Sequence, residues 1–265
     1  MILKLIFVCF VAFIAALPSQ AQEIAFPSQN YSSNATAPKV TQIIDYKTLL
    51  LSDQSVVSLS GLHIPQSAQG SAFEWLEDNI IGQSMKIYRP ARSQETPKNR
   101  FGHYIAQLVT ADQPHIWIQA AMLAQGLALF WPNEYLKDQE SADLLQQAEI
   151  MARDAKLGLW SDENGFTVAP AANNIASDTF KMQIIRGDIR SVSTIGGNTY
   201  LNFGDNWRQD FTVMIPSNIR REMSRHNFDP TQLQNKTIEV RGYIENYYGP
   251  MIKLHHQAQI RLLTQ

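Results

Sequence analysis

Residues 141–160 read SADLLQQAEIMARDAKLGLW, and this stretch decides the fold of the larger, N-terminal part of the chain. Its apolar side chains recur at helical spacing, which predicts an amphipathic helix with one buried face. The predicted buried positions are Leu144, Leu145, Ala148, Met151, Ala152 and Ala155. Gly158 follows as the predicted stop, because glycine readily adopts the left-handed conformation in which many helices end.

The sequence before this helix supplies short strands and two further helices. Residues 40–62 alternate apolar and polar positions and predict three strands, with a turn at 52–54 between the second and third. A helix is predicted over 71–81, strands over 85–89 and 101–109, and a second helix within 116–131 that ends at Gly126. This mixture predicts a mainly β domain with helices, of the α+β class, over residues 40–162.

The N-terminal segment is typical of an exported protein. In residues 1–21, Lys4 precedes an apolar run, and small residues flank a predicted cleavage site after Ala21. These are the features of a secretory signal peptide, although an uncleaved membrane anchor is the alternative. The run is shorter than the roughly 20 residues that a membrane-spanning helix needs. Residues 22–39 are polar and predict a flexible leader.

Cysteine usage narrows the possible chemistry. The single cysteine, Cys9, lies within the predicted signal peptide. The mature protein would therefore contain no disulfide, no thiolate metal site and no cysteine nucleophile. The expected location is the periplasm or the medium.

The C-terminal part has a different organisation. Residues 163–179 show no periodicity and predict a linker, and residues 180–265 contain five strand segments with one helical piece, SNIRREMSR, before the fourth. This order predicts a second, small OB-like β-barrel over residues 180–265.

Charge is distributed unevenly between the two parts. Residues 180–265 contain 11 basic and 7 acidic residues, whereas residues 22–179 contain 10 basic and 17 acidic residues. Proteins that hold a phosphate backbone usually present net positive charge. The composition therefore favours the second part over the first as a surface for nucleic acid.

Several motifs of the first part follow one another in a fixed order. They are Phe101-Gly102, Ile105-Ala106, Gln125-Gly126-Leu127-Ala128, Ala148-Glu149, Ala152-Arg153 and Gly158-Leu159-Trp160. In this order they resemble the staphylococcal nuclease-like (thermonuclease) family. Upstream, IIDYKT (43–48) resembles that family's Val-x-Asp-Gly-Asp-Thr motif, and GLHIPQ (61–66) resembles Gly-Ile-Asp-Ala-Pro-Glu. The resemblance covers residues 40–162 and implies an OB-fold, a five-stranded barrel with three helices.

The second part resembles a C-terminal extension found in some exported bacterial members of the same family. The motifs that carry this resemblance are YLNFG (200–204), DFTVMIP (210–216), VRGYI (240–244) and GPMIKL (249–254).

The family's charged catalytic positions are all changed in this sequence. The resemblance implies a calcium ion held by two aspartates, a glutamate that activates water, and two arginines. Lys47 and His63 stand at the aspartate positions, and Gln66 stands at the glutamate position. The remaining candidate cleft residues are Ser58 and His103, at the arginine positions, and Asp45, which matches the aspartate two positions before Lys47.

These changes predict the loss of the family's catalysis. Each missing contact to a transition state of this kind typically costs a few kcal/mol, although such costs do not add simply. The sequence is therefore interpreted as an exported, thermonuclease-like binding module with no cofactor, although calcium is the cofactor expected for the family. The alternative is a rebuilt phosphodiesterase site, in which His63 and His103 bind a metal or act as acid and base.

The expected partner is an unidentified protein or polymer of the cell envelope. A further alternative is nucleic-acid binding without cleavage through the second barrel, where aromatic rings stack on bases and cations hold the backbone. The candidates for that surface are Arg190, Arg241, Tyr247, Tyr248 and Lys253. The same residues would also suit an ordinary barrel wall with a basic rim.

Overall fold

The computed structural model describes residues 24–90, 97–136, 138–162, 166–171, 182–206, 208–246 and 249–263. The predicted signal peptide and the pair Tyr247-Tyr248 lie outside these residues. The chain divides into two compact units, the second of which begins at Phe166 and also includes Pro132–Glu134. Within the described part of the chain, no helix has the length and apolar character needed to cross a membrane.

The first unit combines short strands with three α-helices. Its strands are β1 (Tyr31–Ser33), β2 (Val40–Asp45), β3 (Thr48–Leu51), β4 (Val56–Leu59), β5 (Leu62–His63), β6 (Met85–Pro90), β7 (Tyr104–Thr110) and β8 (Leu129–Phe130). Its helices are α1 (Gln69–Ile80), α2 (Ile118–Ala124) and α3 (Gln139–Asp154), with 3-10 turns at Ser28–Asn30, Gln66–Ala68 and Gly158–Trp160.

The strand pairing is that of an OB-fold. Strands β2, β3 and β4 form an antiparallel meander, β4 then pairs in parallel with β7, and β7 pairs antiparallel with β6. Counting β2, β3, β4, β6 and β7 as strands one to five, the spatial order is 1-2-3-5-4. Lys39, directly before β2, forms an isolated antiparallel bridge with Ser84, directly before β6. This bridge connects the first barrel strand to the fourth. The predicted α+β class and OB-fold are therefore confirmed.

Part of the predicted leader, residues 22–39, lies in the sheet of the first unit. Strand β1 pairs antiparallel with the far end of β6. Beyond it, the backbone N–H of Asn34 donates to the Ile87 carbonyl at 3.3 Å, and the Asn34 side-chain oxygen accepts from the Ile87 N–H at 2.9 Å. Residues 31–39 thus extend the first strand of the barrel along β6. Polar residues suffice here, because the pairing is made by the backbone.

Aromatic packing ties the residues before β1 to the same unit. The ring of Phe26 lies 4.8 Å from Tyr31, 4.5 Å from Tyr88 and 5.0 Å from Trp117. The Tyr31 hydroxyl donates to the carboxylate of Asp138, which caps the N-terminus of α3. Burial, together with this hydrogen bond, raises the pKa of Tyr31 above its ordinary value.

Helix α3 matches the predicted closing helix but is buried over a slightly different face. Of the predicted stripe, Leu145, Ala148 and Ala152 are fully buried, whereas Ala155 is exposed. Leu144 and Met151 are partly buried. Glu149 is buried instead, and its carboxylate accepts the backbone N–H of Phe130 at 2.7 Å. The helix thereby holds β8 as well as the core.

Two glycines explain why the motifs around α2 and α3 occur together. Gly126 and Gly158 have φ angles of +68° and +52°, and the Gly126 carbonyl accepts the N–H of Leu159 at 2.8 Å. A Cβ atom on Gly126 would lie 2.2 Å from the Leu157 carbonyl oxygen, and one on Gly158 would lie 2.4 Å from the Gly126 oxygen. The close backbone contact therefore needs glycine at both positions.

The second unit is built mainly from strands. They are β9 (Ala169–Pro170), β10 (Met182–Asp188), β11 (Ser191–Ile195), β12 (Asn198–Asn202), β13 (Thr212–Ile215), β14 (Thr237–Tyr243), β15 (Glu245–Asn246), β16 (Pro250–Lys253) and β17 (Ile260–Leu262). Helix α4 (Ser217–Arg225) lies between β13 and β14, and 3-10 turns occur at Pro230–Gln232 and Gln257–Gln259.

The pairing in this unit also follows the OB order. Strands β11, β12 and β13 form a meander, β13 pairs in parallel with β16, and β16 pairs with β15, which directly follows β14. Strand β14 pairs with β10, which directly precedes β11. The strands of this unit form two sheets, one of β9, β10, β14 and β17 and the other of β11, β12, β13, β15 and β16. Segments 182–195 and 237–246 each pass from one sheet to the other around one core. Strand β9 lies within the predicted linker yet pairs in parallel with β10.

Candidate functional site

Three of the candidate residues lie along residues 58–66: Ser58 in β4, His63 in β5 and Gln66 in the 3-10 turn that follows. This segment contains the turn between β4 and β5. It follows β4 through Gly61, which has a φ angle of +85°, and continues into β5, which pairs with β8. The Ser60 N–H donates to the Ala106 carbonyl at 3.1 Å, and the Gly61 carbonyl accepts the N–H of Trp131 at 2.9 Å. These bonds fix the turn to β7 and to the chain after β8.

Two buried glutamines support the same region. The Gln107 amide nitrogen donates to the Ser60 carbonyl at 3.3 Å, and its oxygen accepts the indole N–H of Trp117 at 2.8 Å. The Gln119 amide nitrogen donates to the Ala106 carbonyl at 2.9 Å. Buried, satisfied polar groups of this kind restrict the backbone to one arrangement. Sequence analysis missed both residues, although each interrupts an apolar run with an amide.

The charge of Lys47 acts on the imidazole ring of His63. Lys47 lies in the turn between β2 and β3, where its N–H donates to the Asp45 carboxylate at 2.9 Å and its carbonyl accepts the Leu59 N–H at 2.9 Å. His63 is half-buried in β5, opposite Leu129. Burial lowers the pKa of His63 below its ordinary value, and the charge of Lys47 lowers the pKa further.

The other three candidates have separate surroundings. Ser58 is 9% exposed and lies between Thr48 of β3 and Ile105 of β7. Gln66 is exposed at the start of a 3-10 turn. His103 is half-buried, its backbone N–H donates to the side chain of Asn99 at 3.1 Å, and its ring lies 5.8 Å from Phe101.

These residues do not fit the calcium ion that the resemblance implies. Calcium takes six to eight oxygen ligands, most of them carboxylates, carbonyls or waters. The Lys47 ammonium repels a cation, and the Asp45 carboxylate already accepts the N–H of Lys47. No group of three or more His, Cys, Asp or Glu side chains in the described ranges could hold a metal ion. A transition-metal site at His63 would likewise need further ligands.

The basic residues of the second unit that are candidates for nucleic-acid binding do not form one exposed surface. Arg241 is 2% exposed and lies 4.0 Å from the Glu239 carboxylate, which also pairs with Arg186 at 3.0 Å and Arg261 at 3.2 Å. Its burial does not fit a role in contacting nucleic acid. Arg190 is exposed and pairs with Asp205 at 3.0 Å, and Lys253 is half-buried in β16.

Comparison with known proteins agrees with the fold of the first unit. The strand order defines an OB domain. Residues 57–162 match the model of the staphylococcal nuclease homologue family. Over residues 57–162 the first unit is therefore similar to staphylococcal nuclease homologues. A search of curated proteins found no match.

Proposed function

We propose that this protein is an exported binding module in which the nuclease-like domain no longer hydrolyses phosphodiesters. The observation that supports this most strongly is the replacement of charge: Lys47 stands in the turn after β2, and half-buried His63 stands in β5. By the resemblance, these two side chains replace the two carboxylates that bind the metal. A cation and an imidazole of lowered pKa now occupy positions where two anions would be required.

The chemistry of hydrolysis explains why this change matters. A hard cation must polarise the phosphoryl oxygen, and a base must deprotonate or orient the attacking water. Gln66 stands at the position of the base. A neutral amide does not accept a proton near neutral pH, so Gln66 cannot serve as that base. Ser58 and His103 stand at the positions of the two arginines, so fixed positive charge for the transition state is also reduced.

The retained scaffold supports a binding role. The turn is ordered by the positive φ angle of Gly61, by the pairing of β5 with β8 and by its hydrogen bond to β7. Export follows from the predicted signal peptide, and the partner would be a protein or polymer of the cell envelope. A rigid domain surface without reactive groups is suited to recognition.

A degradation assay on the purified mature chain tests this proposal. Single-stranded DNA, double-stranded DNA and RNA are incubated with calcium, with zinc or with a chelator, and the protein is compared with its His63→Ala and His226→Ala variants. We expect no metal-dependent cleavage by any of them. Cleavage that requires a metal and disappears in His63→Ala but persists in His226→Ala would overturn the proposal in favour of a rebuilt active site.

A further inference from the structure

A groove of about 1000 Å³ opens on the first unit, and of the six candidate cleft residues its lining includes His103. Its walls come from the chain after β1, the turn between β3 and β4, strand β6 and the approach to β7. Its volume is at the upper end of the range found for small-molecule sites. Half of its lining residues precede residue 57, where the family match begins, so much of the groove lies outside the matched region.

Much of the groove is lined by neutral polar side chains. Asn34, Gln54 and Ser55 lie there, together with the hydroxyls of Ser33 and Thr36. Asn34 supports this part of the groove through its two bonds to Ile87, and its amide nitrogen is buried without a hydrogen-bond partner among the described atoms. Amides and hydroxyls both donate and accept hydrogen bonds, which is what a polyhydroxylated ligand requires.

Cations and an exposed aromatic ring also lie at this groove. Phe101 is 66% exposed, and the Arg100 guanidinium lies 4.7 Å from its ring centre. The ammonium of Lys98 lies over the ring of Tyr104 at 4.6 Å, and Arg89 also lines the groove. An exposed ring held by the approach to β7 offers a flat apolar surface beside positive charge.

We propose that this groove binds an acidic saccharide. The C–H face of a sugar ring would stack on Phe101, its hydroxyls would bond to Gln54 and Ser55, and its carboxylate would pair with Lys98 or Arg89. Carboxylates form strong, charge-assisted hydrogen bonds with both kinds of cation. The inference extends the proposed binding role by naming a ligand class, and it does not depend on whether the domain hydrolyses phosphodiesters.

The charge pattern favours a saccharide over a nucleic-acid strand. Residues 22–179 contain 17 acidic and 10 basic residues, so the first unit as a whole would repel a polymer with one charge on every phosphate. The lining itself includes Asp53, whose carboxylate accepts both the N–H of Ser55 at 3.0 Å and its hydroxyl at 2.6 Å. Neutral hydrogen-bonding groups outnumber cations in this groove, as suits a ligand with many hydroxyls and few charges.

Isothermal titration calorimetry on the full mature chain, in the presence of a chelator, tests this inference. The probes are a hexasaccharide of five glucose units and one galacturonate (the galacturonate probe), the uncharged hexamer of glucose, and a six-nucleotide thymidylate strand. We expect galacturonate to bind most tightly, Phe101→Ala to weaken its binding at least tenfold, and Lys98→Gln to weaken the binding of galacturonate more than that of the glucose hexamer. Ile195→Ala and Lys39→Gln are the controls, because Ile195 is equally exposed at 66% and Lys39 is also an exposed lysine.

Three results would overturn the inference. The first is no binding of either saccharide, and the second is tighter binding of thymidylate than of galacturonate. The third is an equal effect of Phe101→Ala and Ile195→Ala. Phe101 is largely exposed, so its replacement should leave the fold intact, and circular dichroism of each variant checks this. Because hydrolysis is measured in a separate assay, failure here leaves the proposed loss of catalysis untouched.

Discussion

Lys47 and His63 set the charge beside the turn after β4, where the resemblance implies a metal ion. Lys47 is fixed through its backbone to Asp45 and Leu59, and its charge acts on the half-buried ring of His63. Two neighbouring cations repel each other, so the imidazole is favoured in its neutral form. The same field disfavours a bound metal ion, which links the electrostatics of the pair to the proposed loss of catalysis.

The pKa of His63 gives a direct measure of this pairing. Replacing Lys47 by methionine should raise the pKa of His63 towards its ordinary value of 6.5 but leave it lower, because burial is the larger cause. Nuclear magnetic resonance titration of the His63 ring proton measures the change, with Lys39→Met as the control. An unchanged pKa in Lys47→Met would show that the two side chains do not interact.

The same shift has a consequence for stability. Since the pKa of His63 is lower in the folded state, the unfolded chain binds more protons at mildly acidic pH. The contribution of His63 to the free energy of unfolding is therefore fully present above about pH 6.5, and it is lost as the pH falls through the folded-state pKa of His63. We expect Lys47→Met to reduce this loss, as seen in urea unfolding at successive pH values.

At the level of residues, the sequence predicted which charges are replaced but not all of their surroundings. Motif positions placed Ser58, His63 and Gln66 within residues 58–66, and the structure distributes them over β4, β5 and a 3-10 turn. Contacts between distant segments carry no such local signal. The burial of Arg241 beside Glu239 and the bond from Phe130 to Glu149 therefore became visible only in the folded structure.

At the level of elements, the N-terminal segment is the main departure from the sequence prediction. Strand β1 and Asn34 extend the first strand of the barrel along β6, and Phe26 and Tyr31 pack into the same unit. The segment is rich in Ser, Asn and Ala, which predicted a leader. Backbone pairing at a sheet edge depends little on side-chain polarity, so composition does not reveal it. By contrast, strands and helices after residue 40 had periodic patterns and were predicted well.

The hydroxyl of Tyr31 provides a test of this docked segment. Tyr31→Phe removes a hydrogen bond to the carboxylate that caps α3, and bonds to charged groups contribute about 1.5–3 kcal/mol. We expect the free energy of unfolding of the first unit to fall by about 1–2 kcal/mol, since the bond is only partly buried. Urea denaturation followed by tryptophan fluorescence measures it, because four of the five tryptophans precede Phe166.

Tyr46→Phe, in the turn between β2 and β3, serves as the matched control. Equal stabilities of the two variants would contradict the view that the N-terminal segment is an integral part of the first unit.

At the level of the whole molecule, the chain repeats one strand order with different charge. Both units pair their third and fifth barrel strands in parallel, in β4 with β7 and in β13 with β16. The first unit is acidic and matches the nuclease homologue family, and the second carries the net positive charge. Fold and charge could be predicted from the sequence, whereas the groove beside Phe101 could not, because its walls come from four separate segments.

Calcium binding tests the central claim most directly. Calorimetric titration of the chelator-treated mature protein with calcium should give no binding heat. The variant Lys47→Asp/His63→Asp, which restores two carboxylates beside Asp45, should bind calcium measurably. The variant Lys39→Asp/His226→Asp makes the same change of residue types elsewhere and should not. Stoichiometric calcium binding by the unaltered protein that is lost on replacing Asp45 by asparagine would contradict the account.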